Sequence, residues 1–433
     1  MNRDVVKIGL LGMGTVGTGV VRILRDNAEN IARKVGVPIK VERILVRDVA
    51  RARKLSVNPS LFTTNAADIL DNSEIDIVIE LMGGEQPAKD YILAAMQKGK
   101  HVVTANKDVV AKYGKSLFDT AAASKVDFQF EASVGGGIPI IRPLKQCLAG
   151  NKIQEIIGIV NGTTNYMLTK MSEEGCDFHA VLREAQEKGY AEADPAADVE
   201  GWDAARKIAI LASIAFSTRI TVDDVYVEGI TQITPIDIAY AKELGFVIKL
   251  LAIAKEVDGQ VEVRVHPAFI PQSHPLASVN DVFNAIFVKG DAVGETMFYG
   301  RGAGELPTAS AVVADVIDVA RDIVHNISSR ILCTCFSNKP VRKMENVPSS
   351  FYIRLVVLDK PGVLAVIAGA FGSQGVSLHS VIQKRKVHSD AEVVLVTNSV
   401  EEQNLRNALR LIESGDVVKE IGNVIRVEGG NLI

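Results

Sequence analysis

A short apolar run, residues 5–11, breaks into Gly12-Met13-Gly14-Thr15-Val16-Gly17, after which apolar residues recur at Val16, Val20, Ile23, Leu24 and Ile31. Few local patterns limit a fold so tightly. The run reads as a buried strand, and the recurrence reads as a helix over residues 15–35. A Gly-x-Gly-x-x-Gly that ends a strand and opens a helix is a dinucleotide fingerprint. Gly12 permits the tight turn, Gly14 lets a pyrophosphate approach the backbone, and Gly17 lets helix and strand pack closely. Thr15 and Val16 open the helix, whose free N–H groups and dipole favour an anion. A glycine-rich turn with no ligand is the plainer alternative, and the strand-to-helix context argues against it.

The alternation continues. Residues 39–46, 75–81, 101–104 and 127–132 read as strands, and residues 87–98 as a helix with Pro87 in its first turn. This βαβ order implies an α/β fold with a doubly wound parallel sheet, the Rossmann arrangement. A central α+β region follows. Residues 153–160, 261–270 and 282–289 read as strands, and residues 202–216 as an apolar helix. The polar turn Asn161-Gly162-Thr163-Thr164-Asn165 caps a helix of its own. An amphipathic helix over residues 308–324 is expected to pack back on the first domain. After a polar linker, residues 342–350, the order βαββαβ gives a ferredoxin-like unit. Its strands are residues 351–358, 376–383, 391–397 and 417–427, and its helices 362–371 and 400–412. The expected domains are therefore residues 1–132 (completed by about 305–330), 133–304 and 351–433.

Bulk properties exclude some function classes. A chain of 433 residues suits two or three domains. No basic patch interleaved with aromatics accompanies the net charge of −4, which argues against nucleic acid as a partner. No run of 18 apolar residues suggests a membrane span, and the first residues lack the apolar core and cleavage site of a signal peptide. Cys147, Cys176, Cys333 and Cys335 form neither a Cys-x-x-Cys pair nor a zinc spacing. The expected location is cytoplasmic.

Strand ends on the ligand side carry the next candidates. The second strand ends at Leu45-Val46-Arg47-Asp48, with Arg51, Arg53 and Lys54 close behind. A guanidinium suits a ribose 2′-phosphate, so Arg47 favours NADP, while Asp48 keeps NAD open. Thr104 and Asn106 can hydrogen-bond a nicotinamide or ribose. Lys107 can reach a phosphate or a substrate carboxylate, or stand in solvent.

Residues 185–207 gather Glu187, Glu192, Asp194, Asp198, Glu200 and Asp203 before an apolar helix that carries Lys207 in its first turns. That arrangement suits a small cationic substrate and a proton-transferring lysine. The competing reading is a solvated acidic loop, with Asp203 and Lys207 an exposed i,i+4 pair worth about 0.3–0.5 kcal/mol.

The spaced pattern Ala185-x-x-x-Gly189-Tyr190-Ala191, then Asp194-Pro195-x-x-Asp198-Val199-x-Gly201-x-Asp203-x-x-x-Lys207, resembles the homoserine dehydrogenase signature at every fixed position. The resemblance extends to Thr104–Lys107, Glu131–Pro139, Asn161–Tyr166 and Gly300–Gly304, and so spans essentially residues 1–330. It implies NAD(P)H-dependent interconversion of L-aspartate 4-semialdehyde and L-homoserine, on the route to threonine and methionine. Lys207 would then donate or accept the proton on oxygen, with desolvation lowering its pKa. Glu192, Asp198 and Asp203 would hold the substrate ammonium, Asp203 would orient Lys207, and Lys107 would be a second functional lysine. Gly189, Gly302 and Gly304 would lie on the cofactor side. The resemblance also implies a monovalent cation, sodium, held by Glu131 and the carbonyls of Val134, Gly136 and Ile138. A carboxylate among carbonyl oxygens suits a hard cation, although a tight turn packing the sheet explains the same residues.

Asp359-Lys360-Pro361-Gly362-Val363-Leu364, with Gly375-Val376 and Ser380–Gln383, resembles an ACT domain over residues 351–433. Gly362 would free an N–H for an amino-acid carboxylate at a helix start, and Asp359 would take the ammonium. The implied effector is L-threonine acting as an inhibitor, and the implied assembly is a homodimer or homotetramer. A purely dimerising module is the alternative. No kinase-like region accompanies these parts, so a monofunctional enzyme is expected. A phosphorylating semialdehyde dehydrogenase would need a cysteine nucleophile, and Cys147 lies in an amphipathic pattern that suits a core or surface thiol. A nucleotide- and amino-acid-sensing regulator without turnover is the competing reading from another class.

Overall fold

Residues 6–11 can lose water on both faces because nearly all are apolar. In the computed structural model, which describes residues 4–50, 55–328, 330–331, 333–387 and 390–429, they form strand β1 (Val6–Leu11), with every residue but Lys7 buried. The chain continues through α1 (Thr15–Asp26), α2 (Ala28–Val35), β2 (Ile39–Leu45), β3 (Phe62–Thr63), α3 (Ala67–Leu70), β4 (Ile77–Glu80), α4 (Ala88–Gln97), β5 (His101–Thr104), α5 (Lys107–Ser124) and β6 (Phe128–Gln129). Next come β7 (Ile153–Ile159), α6 (Gly162–Glu174), α7 (Phe178–Glu187), α8 (Ala196–Val199), α9 (Trp202–Ala215), β8 (Tyr226–Val227), α10 (Pro235–Glu243), β9 (Phe246–Val257), β10 (Gln260–Pro271), β11 (Phe283–Gly290), β12 (Gly294–Arg301) and α11 (Glu305–Val324). The last elements are β13 (Pro348–Leu358), α12 (Val363–Ser373), β14 (Leu378–Val387), β15 (Asp390–Thr397), β16 (Val400–Glu401), α13 (Glu402–Glu413) and β17 (Val418–Val427). The chain divides into two compact units.

The first unit comprises Met1–Gln154, Arg206–Asp223 and Asn284–Asn338. Its sheet is parallel, in the order β3-β2-β1-β4-β5-β6. This is the doubly wound order, with its switch point between β1 and β4. Helix α11 packs against α1 and closes the core. Ala309, Val312, Val316 and Val319 join Val6, Ile8, Leu10 and Val20 in one buried cluster. The approach is close because Gly19 lacks a side chain. A Cβ there would lie 2.6 Å from the Glu305 carbonyl oxygen.

Two first-unit expectations need correction. The helix over residues 15–35 is two helices, broken at Asn27, whose φ of −111° and ψ of 17° leave the helical region. The strand over 127–132 is shortened to β6, because a 3₁₀ turn at Glu131–Ser133 replaces its second half.

The second unit comprises Glu155–Ala205, Asp224–Phe283 and Lys339–Ile433. Its strands run in the order β7-β9-β10-β17-β13-β15-β14. The last four form the ferredoxin-like sheet, covered by α12 and α13 around Phe351, Ile353, Leu355, Phe371 and Leu405. Strand β17 also pairs in parallel with β10, Ala268 opposite Arg426 and Phe269 opposite Val427. The C-terminal module and the central hairpin are thus one continuous sheet within this unit. Charges line the seam. Arg264 donates to Glu428 at 2.7 Å and to Glu262 at 2.9 Å, and Arg426 donates to both oxygens of Glu402 at 2.8 and 2.9 Å.

Candidate active site

The glycine loop shows a distinct steric reason for each glycine. Gly12 has φ of +99°, and a Cβ there would meet the Leu81 carbonyl oxygen at 2.9 Å. A Cβ on Gly17 would lie 2.4 Å from the Gly12 carbonyl oxygen, so only glycine lets α1 start this close to β1. Gly14 is different: nothing lies within 4 Å of where its Cβ would point. That open backbone precedes a helix with no acidic residue in its first turn and no side-chain cap. Amide groups at such an end suit a pyrophosphate. Thr15 is exposed and Val16 half-buried at this end.

Arg47 lies just past β2 with an exposed side chain, and the Asp48 carboxylate accepts the Ala50 amide at 2.8 Å. Arg51, Arg53 and Lys54 lie outside the described residues. At the end of β4, Glu80 is fully buried, and burial pushes its carboxyl up from the usual range. It accepts the Thr104 hydroxyl at 2.7 Å and the Met82 amide at 2.7 Å. The Thr104 oxygen in turn accepts the Asn106 amide at 3.0 Å, and Thr104 is fully buried. Its side chain therefore braces the strand ends. Asn106 caps α5 through the Val109 amide and donates to the Gly84 carbonyl at 2.7 Å. Lys107, half-buried, is the first residue of that helix.

The loop after β6 is enclosed. Glu131 Oε1 accepts the amides of Ile140 and Ile141 at 2.6 and 2.8 Å, and Oε2 accepts that of Arg142 at 2.8 Å. A carboxylate has about four acceptor positions, so about one is left for any other partner. Asp315 accepts the Glu131 amide and pairs with Arg142 at 2.7 Å. Burial, then the Glu131 charge, pushes Asp315 up to about 7. Gly135 and Gly136 take positive φ and turn the backbone sharply, while Val134 and Ile138 are buried beside them. Gly302 presses on this turn: a Cβ on Gly136 would meet its carbonyl oxygen at 2.3 Å. Asn284 fills the space beside Gly302, and Gly304, with φ of +124°, begins α11. Among the described residues, no group of three His, Cys, Asp or Glu side chains is arranged to hold a metal ion.

In the second unit the acidic segment converges on one amide. Asn161 Nδ2 donates to Asp198 Oδ1 at 2.7 Å and to Asp203 Oδ2 at 2.9 Å, while its oxygen caps α6 through the Thr164 amide. Asp203 is buried and Asp198 half-buried. Glu192 is exposed on the same segment, and the backbone there is tied by Gln186 Nε2 to the Glu192 carbonyl at 3.1 Å. Gly189, exposed with φ of +73°, begins that turn. Lys207 lies one helical turn after Asp203 on α9 and is half-buried, less enclosed than the desolvation argument expects. Sequence reasoning read Asn161 as part of a helix-capping turn, but gave its side-chain amide no place among the acidic residues. Glu80 was passed over as an ordinary strand end.

In the C-terminal module, Gly362 has φ of +89° and caps α12, with nothing near its missing side chain. Asp359 is exposed in the preceding turn.

Known families match these parts in order. The family described as homoserine dehydrogenase, NAD binding domain, matches residues 12–131, the homoserine dehydrogenase family matches residues 139–317, and the ACT domain matches residues 351–414. A homoserine dehydrogenase from Synechocystis sp. is 48% identical, over 98% of this chain and 99% of its own. The crystal structure of a homoserine dehydrogenase from Thiobacillus denitrificans superposes with a TM-score of 0.92 at 44% identity, covering 98% of each chain. A hyperthermophilic archaeal homoserine dehydrogenase solved in complex with NADPH matches at 26% identity and a TM-score of 0.62, over 73% of this chain and 97% of its own.

The fold and site define an oxidoreductase acting on a CH–OH group, with an NAD-binding Rossmann domain and an ACT domain. More narrowly, the chain belongs to the homoserine dehydrogenase family.

Proposed function

We propose that the enzyme interconverts L-aspartate 4-semialdehyde and L-homoserine in threonine and methionine biosynthesis, with NADP preferred over NAD. One observation carries the substrate reading: Asn161 holds the Asp198 carboxylate together with that of Asp203, which lies one helical turn before Lys207. A bound dinucleotide supplies or accepts the hydride at the carbon that bears the oxygen. Lys207 gives the proton to that oxygen in reduction and removes it in oxidation. Because Lys207 is half-buried, exclusion of water by bound substrate completes its desolvation. Glu192, Asp198 and Asp203 hold the substrate ammonium by charge-assisted bonds. Lys107 takes a substrate carboxylate or a cofactor phosphate.

The exposed Arg47 supports the NADP preference, and the archaeal relative's complex with NADPH agrees with it. Gly12, Gly14, Thr15, Val16 and Gly17 cradle the pyrophosphate. Gly189 leaves room for the cofactor, Gly302 and Gly304 lie on its side, and Thr104 acts through Asn106. A monovalent cation, sodium, sits on the carbonyls of Val134, Gly136 and Ile138, with Glu131 as a minor ligand because three amides already occupy its carboxylate.

L-threonine binds the ACT domain at Gly362 and Asp359 and inhibits. The domains are residues 1–132 with about 305–330, residues 133–304, and residues 351–433. A homodimer or homotetramer is supported by β14 at the end of its sheet and by the exposed Leu364, Val366 and Val381. A cytoplasmic location agrees with the lack, among the described residues, of a helix long and apolar enough to cross a membrane.

The test follows nicotinamide reduction with L-homoserine, comparing NADP with NAD, each with and without threonine. Reduction that is faster with NADP and slowed by threonine is expected. No reduction by folded protein would overturn the substrate, a faster rate with NAD would overturn the role of Arg47, and indifference to threonine would overturn the effector.

A further inference from the structure

A small pocket open to solvent lies in the first unit against α5 and α9. Phe118 and Phe130 wall it, and Lys145, Arg219, Cys333 and Cys335 face it. Nothing in the dehydrogenase reaction calls for these four polar side chains. Lys145 Nζ lies 4.7 Å from the Phe118 ring centroid and 5.1 Å from that of Phe130. Arg219 lies flat against α5 because Gly114 has no side chain, and a Cβ there would sit 3.3 Å from its Nη2. Neither cation has a carboxylate within ion-pair distance among the described residues. Cys335 Sγ donates to the Ser213 carbonyl oxygen at 3.7 Å, and Cys333 lines the same pocket two residues away. Both cysteines are partly exposed and stand outside regular helix and strand. Two residues apart, their Cα atoms are separated by at most about 7 Å, which overlaps the range that a disulfide spans.

We propose that Cys333 and Cys335 form a peroxide-reactive dithiol, in which Cys333 takes oxygen from a hydroperoxide and Cys335 converts the product to a disulfide. A sensor cysteine of this kind combines thiolate character, access and a neighbouring resolving thiol. All three are present. A hydrogen bond that the Cys335 thiol can turn toward an ionised Cys333, followed by the charges of Lys145 and Arg219, pulls Cys333 down to about 6. The same hydrogen bond holds the Cys335 proton and raises that thiol. Burial pushes Lys145 down, and the facing thiols oppose this shift, so ammonium and thiolate favour each other.

In the first step the Cys333 thiolate attacks the terminal oxygen of the hydroperoxide. An S–O bond forms and the O–O bond breaks. The leaving alkoxide or hydroxide takes a proton from solvent, giving Cys333 sulfenic acid and an alcohol or water. In the second step Cys335 sulfur attacks Cys333 sulfur. The S–S bond forms, the S–O bond breaks, and the departing hydroxide takes the Cys335 proton to leave as water. Sulfur loses two electrons overall, and the peroxide gains them.

The test treats the full-length protein with an equimolar amount of hydrogen peroxide, blocks remaining thiols with an alkylating agent, and maps peptides by mass. Exposure alone would make Cys147, the exposed thiol, react first. The expected result is a reducible disulfide between Cys333 and Cys335 before Cys147 or Cys176 is modified. In Cys335→Ser, a sulfenic acid at Cys333 is expected to be trapped by dimedone, and Lys145→Met is expected to slow the reaction of Cys333 severalfold. Cys147 reacting as fast as Cys333, or peroxide consumption with the 333–335 pair intact, overturns the proposal. The wild-type map decides this even if a variant fails to fold.

Discussion

The proposed proton step rests on a single atom, the Lys207 ammonium nitrogen. Removing that ammonium should leave the glycine loop untouched, since no glycine of that loop depends on it. Lys207→Ala is therefore expected to bind NADPH normally by fluorescence titration and to lose roughly 10²–10⁴-fold in kcat, the usual range for one acid–base group. Unchanged kcat would remove Lys207 from the proton step. Legibility at this scale varies with the physics. Gly12, Gly14 and Gly17 were readable because each serves a local backbone requirement. Lys207 was singled out by its fixed spacing from Asp203. Asn161 was not, since its partners Asp198 and Asp203 lie far along the chain and only the fold brings them to it. Thr104 was singled out but not read as buried, because nothing local says that Glu80 will take its hydroxyl.

Among the elements, the meeting of β1 and α1 has the least slack. A methyl at Gly17 would press on the Gly12 carbonyl oxygen at 2.4 Å, so Gly17→Ala must displace the pyrophosphate turn or the helix. The expected cost is about 1–3 kcal/mol, the range for overpacking, read by denaturant unfolding together with weakened NADPH binding. Gly14→Ala, facing open space, should keep stability and lose cofactor affinity alone. Most element types could be read from pattern. Strand β9 could not: its run FVIKLLAIAKEV is apolar on consecutive positions, and period alone does not separate a buried strand from a buried helix there. Helix α5 was missed because its small and polar residues dilute the apolar stripe.

For the whole chain, the joint between the central hairpin and the C-terminal module carries the buried charge of the second unit. Asp237 accepts Arg354 at 2.8 Å, Asn423 at 2.8 Å and the Tyr352 hydroxyl at 3.1 Å, while capping α10. Asp237→Ala would leave Arg354 in the interior with only the more distant Glu392, at 3.7 Å, and a loss of roughly 3–5 kcal/mol is expected in chemical unfolding. His266 gives the same joint a pH dependence. It is fully buried, and burial, followed by the Arg426 charge, holds its pKa well below 6.5. Below about pH 6.5 the unfolded chain takes a proton that folded His266 refuses, so this group lowers stability as pH falls. The melting-temperature difference between wild type and His266→Gln should therefore shift in favour of the variant as pH is lowered from 7 to 5. A constant difference would count against it. None of this was visible beforehand, because a polar linker suggested a module with its own boundary. The joint also matters during synthesis. Strand β17 is made long after β10, so a nascent chain emerging from the ribosome holds the β10 edge at Ala268 and Phe269 without its partner strand, and Arg264 and Lys255 rely on Glu262 and Glu155 until Glu428 arrives. A chain cut short before residue 418 would expose that apolar strand edge, suited to capture by a chaperone or by another unfinished chain.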